Sequence, residues 1–168
     1  FCYMCGITGI IYSGKNNKVS PEILTAMTNS LTHRGPDDSG IAINDNVGFG
    51  FRRLSIIDLS SGHQPFTSQD DKFTIVFNGE IYNYRELKNE LKDYNFRTES
   101  DTEVVLAAWN RWGREMLYKL NGMFSFAIWD KDSRKLFAAR DRFGVKPFYY
   151  SVSKGSFIFA SEIKTFWA

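Results

Sequence analysis

Apolar and polar positions alternate with a period of two in several short stretches of the chain and with a helical period in three others. Ile7–Tyr12 is short and β-branched, which predicts a strand. Ser20-Pro21-Glu22 supplies a capping hydroxyl, a proline at the first helical position and an acid. Ile23, Met27 and Leu31 come next at helical spacing, so the pattern predicts a helix with these three on its apolar face, ending near His33-Arg34. Arg34–Gly40 is polar and turn-rich, and predicts a loop. Ile41–Asn44 and Val47–Leu54 predict a hairpin through Asp45-Asn46. In its second strand Val47, Phe49 and Phe51 alternate with Gly48, Gly50 and Arg52. That is the pattern of a half-buried strand whose glycines permit close backbone approach.

Phe73, Ile75 and Phe77 alternate with Thr74 and Val76, predicting a strand that ends at Asn78-Gly79-Glu80. Asn83-x-x-Glu86 and Ser100-x-x-Glu103 both fit capping boxes. The first opens a helix with Tyr84, Leu87, Leu91 and Tyr94 on one face. The second opens a helix carrying Val104, Val105, Ala108, Trp109 and Trp112. Met123–Asp130, Lys135–Arg140, Pro147–Val152 and Ser156–Ala160 predict four more strands, with turns at Asp132-Ser133 and Lys154-Gly155, and Ser161-Glu162 starts a last helix. Many strands joined mostly by tight turns, with about three helices in the first two thirds, argue for an α+β fold with largely antiparallel sheets. There is no repeat, low-complexity segment or interdomain linker.

Composition narrows the class. At 168 residues the chain predicts one domain with a substantial core, and 15 phenylalanines make that core rich in rings. The net charge of +2, from 21 basic and 19 acidic residues, is too balanced for a nucleic-acid or acidic-membrane partner. No apolar run approaches the roughly 20 residues that span a bilayer, and Phe1–Tyr3 lacks the basic region of a signal peptide. Two cysteines do not make a disulfide scaffold, and the expected location is a reducing cytoplasm. The Cys2-x-x-Cys5 spacing lacks further zinc ligands, since His33 and His63 stand alone. The residues after Cys5 are strand-like, unlike the helix start of a redox pair. No metal site is expected.

Four positions carry candidate chemistry. Met4-Cys5-Gly6 reads as a thiol nucleophile exposed by methionine removal, whose α-amine could serve as the base. A small buried hydrophobe opening a strand is the alternative. Strand parity places Arg53 on the face of the phenylalanines, where a guanidinium needs either a buried carboxylate or a ligand anion. Asn78-Gly79 after a strand is either a tight turn or an amide and N–H aimed at one point, as an oxyanion hole requires. Asp101 falls in the first turn of a helix, where negative charge is favourable, and that is a sufficient structural reason for it.

Taken together, Met4-Cys5-Gly6-Ile7, His33-Arg34-Gly35-Pro36-Asp37-Asp38, Arg53-Leu54-Ser55-Ile56, Asn78-Gly79-Glu80-Ile81-Tyr82-Asn83, Ser100-Asp101-Thr102-Glu103, Arg140-Asp141-Arg142-Phe143-Gly144-Val145-Lys146-Pro147 and Phe159-Ala160-Ser161-Glu162-Ile163-Lys164 resemble class II glutamine amidotransferase domains. The resemblance covers Met4 to about Phe166. It is closest to the N-terminal glutaminase domain of glutamine-hydrolysing asparagine synthetases, a branch favoured by the Arg140–Pro147 block. It implies an N-terminal-nucleophile (Ntn) hydrolase fold, a four-layer αββα sandwich of two antiparallel sheets. It also implies L-glutamine as substrate and a set of roles. Cys5 attacks the side-chain amide and its freed α-amine carries the proton. Asn78 and the Gly79 N–H hold the oxyanion, Arg53 the α-carboxylate and Asp101 the α-ammonium. Backbone groups near Ile57 and Glu80 complete the pocket.

The resemblance further implies that ammonia passes to an ATP-dependent synthetase domain, in cis or in trans, that amidates aspartate. ATP and magnesium belong to that domain, and none is expected in this one. A homodimer of the full-length protein is also implied. Residues 1–4 fall outside the family pattern or at its edge and are expected to be an extension or processed leader, with residues 5–168 forming the glutaminase domain and no synthetase domain in this chain. Two alternatives stay open: a related amidotransferase serving another acceptor, and a catalytically silent glutamine-binding relic.

Overall fold

The computed structural model describes residues 4–14, 17–54 and 63–168. Strand β1 (Gly6–Tyr12) lies in the middle of a five-stranded antiparallel sheet. On one side it pairs with β3 (Val47–Arg53), which pairs in turn with β2 (Asp38–Asn44); on the other it pairs with β9 (Ser156–Ala160), which pairs with β8 (Tyr149–Ser153). A second antiparallel sheet runs in the order β4 (Phe66–Thr67), β5 (Phe73–Ile81), β6 (Gly122–Asp130), β7 (Lys135–Arg140).

Side-chain alternation builds three apolar layers. Ile7, Val47, Phe49, Phe51 and Phe159 of the first sheet meet Val76, Ala127 and Trp129 of the second. The other face of the second sheet, with Phe73, Ile75, Phe77, Phe124, Phe126 and Ile128, packs against helices α2 (Tyr84–Glu90) and α3 (Asp101–Trp112). The outer face of the first sheet takes Leu24 of α1 (Pro21–Asn29), together with Ile10 and Val19. The layers therefore run helix, sheet, sheet, helix, the α+β sandwich that the sequence motifs lead one to expect.

Several local expectations change. α1 stops at Asn29 and the chain continues through tighter turns to Arg34, with Leu31 N–H on Thr28 O at 3.1 Å and Arg34 N–H on Leu31 O at 2.9 Å. Leu24, Met27 and Leu31 are buried, whereas Ile23 is 44% exposed, so the apolar face is rotated from the predicted one. β3 is buried on both faces rather than half-buried, because α1 lies on its glycines; a Cβ at Gly50 would collide with the Thr28 hydroxyl. β2 begins already at Asp38, inside the predicted loop. The first capping box does not form: Asn83 instead donates to Lys119 O at 2.9 Å and accepts from Asn121 N–H at 3.0 Å, tying α2 to the start of β6. In the second, Ser100 Oγ accepts the Glu103 N–H at 3.3 Å as expected. The fully buried Glu103 carboxylate does not reach back to Ser100. It accepts the N–H groups of Arg97 and Thr98, at 3.1 and 2.7 Å, and fixes the approach to the helix. The last predicted helix is a 3₁₀ segment, Ile163–Trp167.

Candidate functional site

Cys5 sits immediately before β1 and packs, half-buried, on the layer between the sheets. The start of β1 is fixed by Ser161, whose hydroxyl accepts the Ile7 N–H at 3.0 Å and whose own N–H donates to Ile7 O at 2.8 Å. Arg34 Nε donates to Cys5 O at 3.1 Å while Nη1 pairs with Glu162 at 3.1 Å. The Cys5 sulfur accepts a long bond from Leu54 N–H at 3.5 Å. Burial pushes the thiol pKa up; the Leu54 N–H and the charges of Arg53 and Lys146 pull against that. The thiol is therefore held protonated until a base takes its proton. Arg53 ends β3 on the inter-sheet face, as its parity requires, and its positive charge is felt at the sulfur.

Across the layer β1 lies against β5. Asn78-Gly79 is not a turn: both residues are within β5, opposite Ser125 and Phe124 of β6. Asn78 follows Val76 on the inter-sheet face. It is 2% exposed, and its amide nitrogen finds no hydrogen-bond partner among the described residues. The hydroxyl of its cross-strand neighbour Ser125 is likewise buried and unpartnered there. Buried donors are almost always bonded, so an orphaned amide on this face is a group left for something else to meet.

The backbone edge of β5 explains Gly79. The short strand β4 covers only Thr74 and Ile75. Beyond it the Gln64 side chain imitates a strand, accepting the Phe77 N–H at 2.6 Å and donating to Phe77 O at 3.1 Å. Two residues past Gly79, the Ile81 N–H is taken by Asp101 Oδ2 at 3.0 Å. In an antiparallel ladder alternate residues direct their N–H groups to the same edge. The Gly79 N–H therefore points to the open edge between these two bonds, where no described residue accepts it. Glycine is required here because a Cβ would strike Met123 O.

Asp101 opens α3 next to the end of β5. Burial is the main cause of its raised pKa; the Ile81 and Thr102 N–H groups oppose it, and the nearby Glu80 charge adds to it. Glu80 itself is exposed. Ile57 lies outside the described residues, as does Cys2. Cys5 and Arg53 thus belong with the first sheet, and Asn78, Gly79 and Glu80 to β5 of the second, with Asp101 bonded at the end of that strand. Chemically the arrangement can offer a thiol nucleophile, a pair of oxyanion donors, and one group of each charge for a zwitterion. Among the described residues no three His, Cys, Asp or Glu side chains cluster as a metal site, and no helix is long and apolar enough to cross a membrane.

Sequence reasoning gave no role to Arg34, Gln64, Ser125 or Lys146. Arg34 and Lys146 lie inside the motifs that carry the family resemblance, which was the available signal. Gln64 and Ser125 left none, because their roles come from cross-strand position.

Comparison with known proteins adds a family. The glutamine amidotransferase domain family matches residues 4–168. A glutamine-hydrolysing asparagine synthetase 1 of Bacillus subtilis is 46% identical over 166 residues, covering 96% of this chain and 26% of that protein. A putative asparagine synthetase 2 of Methanocaldococcus jannaschii, also glutamine-hydrolysing, is 45% identical over 182 residues, covering 96% of this chain and 34% of that protein. The chain thus spans about a quarter to a third of these relatives. Among solved structures, the glutamine phosphoribosylpyrophosphate amidotransferase of B. subtilis superimposes with a TM-score of 0.77 at 23% identity, covering 96% of this chain and 43% of that one, a likeness of fold.

Proposed function

This chain belongs to the glutamine amidotransferase domain family, and on that premise we propose that it hydrolyses L-glutamine to glutamate and ammonia with Cys5 as nucleophile. The ammonia serves an ATP-dependent synthetase domain of the asparagine synthetase type, which amidates aspartate. The single observation that carries the hydrolytic reading is the buried, unpartnered Asn78 amide beside the edge-facing Gly79 N–H, on the strand that lies against β1, which Cys5 precedes. Identity near 46% with a glutamine-hydrolysing asparagine synthetase supports the choice of acceptor.

The steps derive from the groups in place. The Cys5 sulfur attacks the side-chain carbonyl carbon of glutamine, and its proton passes to the Cys5 α-amine once that amine is free. The carbonyl oxygen becomes an oxyanion and takes hydrogen bonds from Asn78 Nδ2 and Gly79 N–H. The C–N bond then breaks, the α-ammonium returns its proton to the leaving nitrogen, and ammonia departs from a thioester. Water attacks the thioester with the same amine as base, releasing glutamate and restoring the thiol. Arg53 holds the substrate α-carboxylate and Asp101 its α-ammonium, so the two charges at the substrate α-carbon fix which end faces Cys5.

A glutamine-mimicking electrophile should label Cys5 and not Cys2, read by mass mapping of the adduct. An adduct on Cys2 that survives Cys5→Ala would refute the assignment. Asp101→Asn should divide binding from stability. Losing one partner of a buried charge pair costs about 2 kcal/mol or more, roughly 30-fold in KM for glutamine. The ligand-free protein should become more stable at neutral pH, because a carboxyl with a raised folded pKa binds more protons folded than unfolded. Its effect on stability is therefore unfavourable once pH rises from the ordinary carboxylate range through the raised value. Denaturation midpoints at acid and neutral pH, set beside KM, check both halves. A lower midpoint at neutral pH with unchanged KM would make Asp101 merely structural.

A further inference from the structure

Lys146 is 6% exposed, yet among the described residues its ammonium has no carboxylate within ion-pair distance. Its one hydrogen-bond partner there is the Met4 sulfur, at 2.9 Å. A thioether is a weak acceptor and a poor reason to bury a cation. The fold nevertheless holds this residue firmly. The Asp141 carboxylate accepts the N–H groups of Phe124, Phe143, Val145 and Lys146 at 3.3, 3.1, 2.9 and 3.0 Å. Arg140 Nε donates to Lys146 O at 2.6 Å, and its Nη2 to Gly144 O. The Lys146 backbone is thus clamped from both sides, with its side chain directed at the residue preceding Cys5.

We propose that Lys146 is a positioning residue for the nucleophile: held against Met4 while the Met4–Cys5 peptide is intact, its ammonium stands beside the Cys5 amine once Met4 is gone and keeps that amine free of a proton near neutral pH. The inference rests on the glutaminase reading above. The charges around Cys5 favour it. From the turn after α1, Arg34 sits on Cys5 O; from β3 comes Arg53; from the β7–β8 loop comes Lys146. The carboxylates nearby are engaged elsewhere: Glu162 with His33, Arg34 and Lys164, Asp38 with His63 and the charge of its cross-strand neighbour Arg53, and Asp141 with backbone N–H groups. Asp101 and Glu80 lie at the end of β5. Protonating an amine in this cationic setting means adding a like charge, which lowers its pKa. An ordinary α-amine, with a pKa of about 7.7–8.0, is mostly protonated at pH 7 and a poor base there. Removing the Met4 side chain takes away the thioether that Lys146 holds and leaves its charge facing the new terminus.

The test uses the protein with Cys5 as its demonstrated first residue. It compares wild type, Lys146→Met and Lys146→Arg by the pH profile of kcat/KM for ammonia release, and by the pH dependence of Cys5 alkylation with iodoacetamide, which needs no turnover. Lys146→Met should move the acid limb of both profiles up by about one pH unit, and Lys146→Arg should leave it near wild type. An unmoved limb in Lys146→Met, or an equal shift in Lys146→Arg, overturns the proposal. Should Lys146→Met fail to fold, the wild-type limb decides: it must lie below the ordinary α-amine value, and a limb at or above it overturns the inference. A shifted alkylation profile in a protein that releases no ammonia would sink the glutaminase reading and leave this one standing.

Discussion

Glutamine hydrolysis should appear when Cys5 is the first residue and should fall by about 10²–10⁴-fold when Met4 stays attached, the range that a positioned acid–base group contributes. The Cys5 thiol is pushed up by burial, so a base is needed to make it a nucleophile. While Met4 precedes it, the Cys5 nitrogen is an amide and has no useful basicity. The described surroundings offer no substitute. The sulfur bonds only backbone among the described residues, the Leu54 N–H and the Leu54 carbonyl, and Arg34 and Lys146 are cations. Of the two histidines, His33 is paired with Glu162 at 2.9 Å and His63 with Asp38 at 2.9 Å, each an exposed surface pair. Two forms decide the matter: one beginning Met4-Cys5, from which Met4 is removed, and one retaining Phe1-Cys2-Tyr3 behind a blocked amine. N-terminal sequencing establishes what each became, and ammonia release is then compared. Equal rates with Phe1–Met4 intact would rule out the terminal-amine mechanism and make His33 the first residue to mutate.

The placement of the candidate site residues is legible in the sequence to the extent that strand parity carries information. Arg53 follows Phe49 and Phe51 at a period of two, and its place on the inter-sheet face comes directly from that alternation. Asn78-Gly79 was ambiguous because the same dipeptide suits a turn. What removes the ambiguity is β6, which pairs with β5 through to Ile81 and is more than forty residues away in the chain. The rotated face of α1 has a similar cause. Met27 and Leu31 satisfy either Ile23 or Leu24 as the third apolar position, and the choice is made by Gly48 and Gly50 of β3, which admit Leu24 and Thr28. Asn83 fits a capping box by spacing, but a bidentate link to Lys119 O and Asn121 N–H satisfies its amide better than a helix end would. Gln64 is the extreme case. No local pattern marks a glutamine as a surrogate strand, yet its two bonds to Phe77 complete the edge that leaves the Gly79 N–H exposed.

Asn78→Ala should lower kcat for glutamine by about 10²–10³-fold, with little change in KM, because an oxyanion donor acts more strongly on the transition state than on the bound amide. The same substitution should leave stability unchanged or raise it. Asn78 is buried with its amide nitrogen unpaired among the described residues, so the folded protein already bears the desolvation cost of that donor, and alanine removes it. A residue kept for packing would behave in the opposite way, losing stability first and activity as a consequence. Gly79→Ala supplies that contrast: its new Cβ meets Met123 O, so it should lower the denaturation midpoint together with the rate. Steady-state ammonia release over a range of glutamine concentrations, alongside thermal denaturation of both variants, separates the two kinds of loss. An Asn78→Ala protein with raised KM and undiminished kcat would show that the amide binds the ground state, and the oxyanion role would then have to be sought elsewhere on the β5 edge.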